Sequence, residues 1–133
     1  MNVLVVEDNV STNKIIAEKI ERQHHKVEIA HTCRDALKKV IQKKFDLVLL
    51  DIFLPDCMGY ELIPQFKERW HDIGIVTMTD RHSQDLECKV RMQGILYYMI
   101  KPFAMKEIKD ILEHTEKRIG MRLKNNGRIS KKN

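Results

Sequence analysis

The segment that most limits how this chain can fold is LVLL at 47–50, an unbroken apolar run that stops at a carboxylate, Asp51. A run this short, with no polar alternation, reads as a strand covered on both faces. Pro55 and Gly59 follow it closely, so the chain must turn there. The pattern recurs. VLVV at 3–6 ends at Glu7 and Asp8, GIVTMT at 74–79 ends at Thr79, and ILYYMI at 95–100 ends at Lys101-Pro102. KVEIAH at 26–31 alternates instead, which marks a half-exposed edge strand.

Between these runs the spacing turns helical. Ile15, Ile16 and Ile20 share one face of a first helix. Thr32 and Asp35 resemble a capping box opening a second helix, which buries Ala36, Leu37, Val40 and Ile41. Leu62, Ile63, Phe66 and Trp70 mark a third, in which Pro64 predicts a late start or a kink. Leu86, Val90 and Met92 mark a thin fourth stripe ending at Gly94, and Ile108, Ile111, Leu112 and Thr115 a fifth. Ile119 and Leu123 continue that last stripe, so the fifth helix is expected to reach Lys124. Asn125-Asn126-Gly127 reads as its stop signal, with the remainder disordered.

Five strands alternating with five helices require a parallel sheet with right-handed crossovers. With the polar strand at an edge, the order 2-1-3-4-5 of flavodoxin-like α/β folds satisfies the pattern. The domain is placed at residues 1–118 and a basic tail at 119–133. Of 24 Lys and Arg, six lie from Arg118 onward with no acid among them, so residues 1–117 hold 18 basic against 19 acidic side chains. The basic charge belongs to the tail. It carries no nucleic-acid-binding motif and gives no support to direct nucleic-acid binding. No apolar run is long enough to span a membrane and no secretory leader is visible, which points to the cytoplasm. Cys33, Cys57 and Cys88 form no close pair, so they are expected to be reduced thiols rather than a disulfide or zinc site. His24-His25 is expected in a solvated loop.

In a parallel sheet all carboxyl ends share one edge. Glu7, Asp8, Asp51, Thr79 and Lys101 therefore converge on one crevice. Two carboxylates ~4 Å apart repel by about 4 kcal/mol at an effective dielectric of ~20. Lys101 supplies one compensating charge, and a hard divalent cation such as Mg²⁺ suits the remainder. Asp51 is then a candidate nucleophile toward phosphorus.

VLVVEDN, DLVLLDIFLPDCMG, MT at 78–79 and YMIKPF at 98–103 together resemble the receiver domain of two-component response regulators, over residues 2 to about 118. The resemblance implies that Asp51 accepts a phosphoryl group from a histidine kinase or phosphotransfer protein. It implies Mg²⁺ held by Asp8 and Asp51, by Glu7 through water, and by the backbone carbonyl of Phe53. Lys101 would bind a phosphate oxygen and Thr79 another. Tyr98 would turn inward, changing the face made by the fourth helix, fifth strand and fifth helix. The Lys101-Pro102 bond would be cis. Such a chain is a signalling domain rather than an enzyme, its only chemistry being its own phosphorylation and hydrolysis of the aspartyl phosphate.

Two features depart from the family pattern. Asp80 stands where a small residue is usual, and Arg81 beside it offsets its charge. If Asp80 impairs phosphorylation, the alternative is a receiver acting as a scaffold or dimerisation module. GILY at 94–97 replaces a polar turn. It reads as ordinary core, or as an apolar output face for a homodimer or partner.

Overall fold

A computed structural model describes residues 1–132, with side-chain surroundings described to residue 125. The elements run β1 (Asn2–Val6), α1 (Val10–Arg22), β2 (Lys26–Ala30), α2 (Cys33–Gln42), β3 (Leu47–Asp51), a 3₁₀ turn (Gly59–Leu62), α3 (Ile63–Arg69), β4 (Gly74–Thr79), α4 (Gln84–Arg91), β5 (Tyr97–Ile100) and α5 (Met105–Lys132). The five strands form one parallel sheet in the order β2-β1-β3-β4-β5, as the patterning requires.

Alternation along the strands sorts the core into two layers. Leu4, Val6, Val48, Leu50 and Ile75 face α2 and α3, where Ala36, Val40, Ile63 and Phe66 meet them. Val3, Val5, Leu47, Leu49 and Val76 face α1 and α5, where Ile16, Ile20, Ile108, Ile111 and Leu112 meet them. Burying each such aliphatic or aromatic side chain contributes about 1.5–3 kcal/mol. Strands β1, β3 and β4 are therefore apolar on both sides. Strand β2 is mostly half-buried and lies at the edge.

Local signals set the helix starts. Asn9 and Thr32 accept from the backbone N–H of Thr12 and Asp35, closing the first turns of α1 and α2. Ser83 does the same for α4 through Leu86. Pro64 delays α3 behind the 3₁₀ turn, the late start its ring predicts, and sits in the first turn where its missing N–H costs nothing.

Several expectations need correction. Cys33 and Cys57 are joined by a disulfide across 24 residues, so they are not reduced thiols, and Cys88 is free and exposed. The bond arises because the turn after β3 folds over the start of α2, a meeting that no local spacing announces. Helix α5 passes through Asn125-Asn126-Gly127 and continues to Lys132. Asn and Gly each cost only about 1 kcal/mol or less in a helix interior, and no proline follows to enforce a stop. Ile15 and Ile41 face solvent and Met92 is 83% exposed, because periodicity gives the direction of an apolar face and not its width. The fifth strand is shorter than its apolar run: Ile95 and Leu96 precede it, half-buried against the two core layers. His25 is not in a solvated loop. It is buried, its Nε2 2.8 Å from Glu116 Oε1 and its Nδ1 3.0 Å from the Met1 nitrogen, so it ties β2 to α5.

Candidate functional site

The carboxyl ends of β1, β3 and β5 bring Glu7, Asp51 and Lys101 together. Lys101 Nζ donates to Glu7 Oε1 and lies 3.2 Å from Asp51 Oδ2. Glu7 and Asp51 are buried, while Asp8 is exposed at the mouth. Oxygens of Glu7, Asp8 and Asp51 lie within 4.8 Å of one another. These residues line an open cleft of about 320 Å³ together with Asn9, Thr12, Phe53, Asp80 and Arg81. The Lys101-Pro102 bond is cis, as the resemblance implied.

Electrostatics follow from this crowding. Burial, then the hydrogen bond with Asp51, push the Glu7 carboxyl above the usual carboxylate range, although Lys101 pulls the other way. Burial alone would depress Lys101, but the bond to Glu7 and the charges of Asp51 and Glu7 raise it above the usual lysine value. The ammonium is therefore firmly charged, and the acids still exceed the cations that face them. A donor set of clustered carboxylates with one exposed member is what a hard divalent cation takes. The carboxylates present fit such an ion, and Phe53 lies beside them on the cleft wall.

The other expected residues take different places. Thr79 is fully buried at the end of β4 and does not line the cleft. Its Oγ1 accepts from the Arg81 N–H at 3.0 Å. Arg81 lies over the Phe53 ring, 5.0 Å from its centroid. Tyr98 lies away from the cleft, half-buried on the β5 edge, its hydroxyl 3.1 Å from His82 Nδ1. Burial, then the charge of Glu87, raise the Tyr98 phenol, so the hydroxyl keeps its proton and can donate to His82.

Sequence reasoning missed several supporting groups. Asn13 is buried and donates to the Glu7 carbonyl, with His31 beside it. Asp56 caps α2, accepting from the N–H groups of Cys33 at 2.8 Å and Arg34 at 3.0 Å. His82, which meets the Tyr98 hydroxyl, carries no local signal in the sequence. Only Asn9 carried a local signal, a polar cap residue just before a helical pattern.

The family model of the response regulator receiver domain matches residues 3–113. The chain belongs to that family. Receiver domains are signalling modules of two-component systems. This receiver is 31% identical over 119 residues to the transcriptional regulatory protein ZraR of Klebsiella oxytoca, covering 86% of this chain and 27% of that protein. It is 32% identical over 111 residues to CitT of Halalkalibacterium halodurans, covering 80% and 47%. The receiver thus spans about a quarter to a half of the length of these relatives. Among solved structures it is similar to a CheY-like receiver domain protein from Methanospirillum hungatei JF-1. There the TM-score is 0.79 at 27% identity, over 88% of this chain and 97% of that one. A response regulator from Burkholderia pseudomallei, crystallised with a phosphorylated aspartic acid, a calcium ion and citrate, superposes with a TM-score of 0.78 at 27% identity. Coverage there is 93% of this chain and 74% of that one. Among the described residues, no helix is long and apolar enough to cross a membrane.

Proposed function

We propose that Asp51 is the phosphoacceptor of a two-component phosphorelay. The observation that carries this is the convergence of Lys101 on Asp51 and Glu7, with Asp8 completing the acid cluster. A carboxylate oxygen of Asp51 attacks phosphorus. The P–N bond of a phosphohistidine on a histidine kinase or phosphotransfer protein breaks, and the imidazole leaves. Asp8 and Asp51, Glu7 through water and the Phe53 carbonyl would hold Mg²⁺, which would offset the negative charge of the phosphoryl group. Lys101 adds a second charge from the β5 side, binding a phosphate oxygen as a point charge. The Thr79 hydroxyl accepts from Arg81 N–H and so keeps its own hydrogen for a phosphoryl oxygen. The relative with a phosphorylated aspartic acid supports this reading.

Output follows by population shift: a phosphoryl group favours the arrangement in which Thr79 and Lys101 engage it. Tyr98 leaves His82 and turns inward. The groove of about 430 Å³ between β5 and α5, walled by Tyr97, Tyr98, Glu107 and Asp110, then changes shape. That face, from α4 through β5 to α5, meets the output partner, which includes a second copy of this chain. Partner kinase and output both act in the cytoplasm. Asp80 on the cleft wall favours one alternative, a receiver with impaired phosphorylation that serves as a scaffold or dimerisation module.

The test is Mg²⁺-dependent labelling by acetyl phosphate or phosphoramidate in wild type and Asp51→Asn. Labelling confined to wild type is expected. Labelling that survives in Asp51→Asn overturns the assignment, and no labelling of wild type supports the scaffold.

A further inference from the structure

The Cys33–Cys57 bond lies outside the acidic cleft but touches the loop that leads out of it. Cys33 opens α2 and is buried, whereas Cys57, in the turn after β3, is half-buried and reachable from solvent. That turn is narrow. Leu54 N–H donates to the Cys57 carbonyl at 3.2 Å, Phe53 bridges Met58, and Gly59 N–H donates to the Ile52 carbonyl at 2.6 Å. Cys57 thus sits on one limb of a short hairpin whose other limb begins at Phe53, on the wall of the cleft. The hairpin is tied to α2 a second time without covalency, through the bonds from Cys33 and Arg34 N–H to Asp56. Those bonds hold the Asp56 carboxyl below the usual carboxylate range. Neither bond involves a sulfur, so the tie between hairpin and helix does not rest on the disulfide alone. In a reducing compartment, a cysteine pair placed to bond is transient rather than structural.

We propose that Cys33 and Cys57 form a reversible thiol–disulfide exchange site. Its reagents are low-molecular-weight thiols and their disulfides, and its closure slows phosphoryl transfer to Asp51. In closing, the Cys57 thiolate attacks one sulfur of the small disulfide and expels a thiolate, which takes up a proton. The Cys33 thiolate then attacks Cys57 Sγ in the mixed disulfide and expels the second. Two protein thiols and one small disulfide become one protein disulfide and two small thiols, so two electrons and two protons pass to the reagent. Opening runs the same steps backward, the incoming thiolate attacking Cys57 because Cys33 is buried. Closure removes freedom from the hairpin at the stage when Phe53 and the end of β3 must adjust to an added phosphoryl group. The effect on transfer rests on the reading of Asp51 as phosphoacceptor; the exchange site itself does not.

The experiment uses the full chain carrying Cys88→Ser, which removes the exposed third thiol. The chain is equilibrated with reduced and oxidised glutathione in varied ratio and then alkylated. Free thiols are counted by mass spectrometry, the Cys33–Cys57 link is mapped in a non-reducing digest, and each form is labelled with acetyl phosphate and Mg²⁺. The link should form and open with the glutathione ratio. The oxidised form should label several-fold more slowly, dithiothreitol should restore the rate, and Cys57→Ser should label at the reduced rate throughout. Thiols that stay free in oxidised glutathione, a link that resists dithiothreitol in the folded chain, or equal or faster labelling of the oxidised form overturns the proposal. If neither form labels, the phosphoacceptor reading fails and takes the coupling with it, and the glutathione titration alone decides the exchange site.

Discussion

Glu7→Gln removes one charge from the cleft while keeping the side chain's shape, and it should stabilise the protein when divalent cations are absent. Glu7 is 2% exposed and Asp51 5%. With oxygens within 4.8 Å, their repulsion is about 3.5 kcal/mol or more at an effective dielectric of ~20, and the exposed Asp8 adds a smaller part. Lys101 attracts Asp51 by about 5 kcal/mol at 3.2 Å on the same scale and Glu7 by at least as much, but burying Glu7 costs several kcal/mol in lost hydration. The balance shows in the Glu7 carboxyl, which burial and the bond to Asp51 push above its usual range despite Lys101. An acid so displaced binds its proton more tightly in the folded chain than in the unfolded one. Its contribution to stability therefore falls as pH rises from the ordinary value of 4.5 through the folded value. Glu7→Gln removes that fall. With the relieved repulsion and regained hydration set against the lost attraction to Lys101, a gain on the order of 1 kcal/mol is expected near pH 8. For a chain of this size that raises Tm by about 3–5 °C. Urea and thermal unfolding in EDTA between pH 4.5 and 8 measure it, and the gain should fade toward pH 4.5. If the proposed Mg²⁺ site forms, added Mg²⁺ should shrink it, because the wild-type carboxylate would hold the ion better than the amide. A Glu7→Gln chain less stable than wild type at pH 8 in EDTA refutes the reasoning, as does a gain that does not fade with acid.

Three further outcomes are expected. A Cβ on Gly59 would lie 2.0 Å from the Asp51 carbonyl oxygen, so Gly59→Ala must displace the end of β3; a loss of about 3 kcal/mol in urea unfolding is expected, and wild-type stability would contradict the packing. Burial, then the charge at the Met1 nitrogen, hold the His25 imidazole below its ordinary value of 6.5, so stability is lost as pH falls from 6.5 toward the folded value, where only the unfolded chain takes the proton. His25→Gln should flatten that acid-side slope in pH-dependent unfolding, and an unchanged slope would exclude His25 as its source. Asp80 lines the cleft and opposes a developing phosphoryl charge, so Asp80→Ala should label several-fold faster with acetyl phosphate; equal rates sink the idea.

The sheet was legible because its signal is redundant. Residues 3–6, 47–50 and 74–79 are apolar on both faces and KVEIA is not, and only a few strand orders accommodate that difference. The cleft was legible for the same reason: parallel topology sends every strand's carboxyl end to one edge, so Asp51 and Lys101 meet although 50 positions separate them. What escaped depends on where loops land. Cys33 and Cys57 meet only because the turn after β3 reaches α2, and His25 is buried because the turn before β2 lands between Met1 and Glu116 of α5. The end of α5 escaped because a stop signal of Asn and Gly is worth only about 1 kcal/mol.

The two sides of the cleft are built differently, and this decides where its chemistry can vary. On the β3 side, Gly59 N–H reaches the Ile52 carbonyl and any Cβ at Gly59 would strike the Asp51 carbonyl, so the turn must fold back tightly. That return lays Asp56 on the first N–H groups of α2 and Cys57 on Cys33. Residues 56–59 are thus tied from three directions, and a side chain added at Gly59 alters the fold before it alters the chemistry. On the β4 side, Asp80 and Arg81 are exposed, anchored by Arg81 N–H on Thr79 Oγ1 and by its guanidinium over Phe53. A carboxylate at residue 80 therefore changes the field at Asp51 without disturbing the frame that holds it. On the proposed reading of Asp51 as phosphoacceptor, variation in phosphoryl lifetime belongs on that side. The β3 side can transmit only a signal that moves the whole turn, and the bond from Cys57 to α2 is placed to do that.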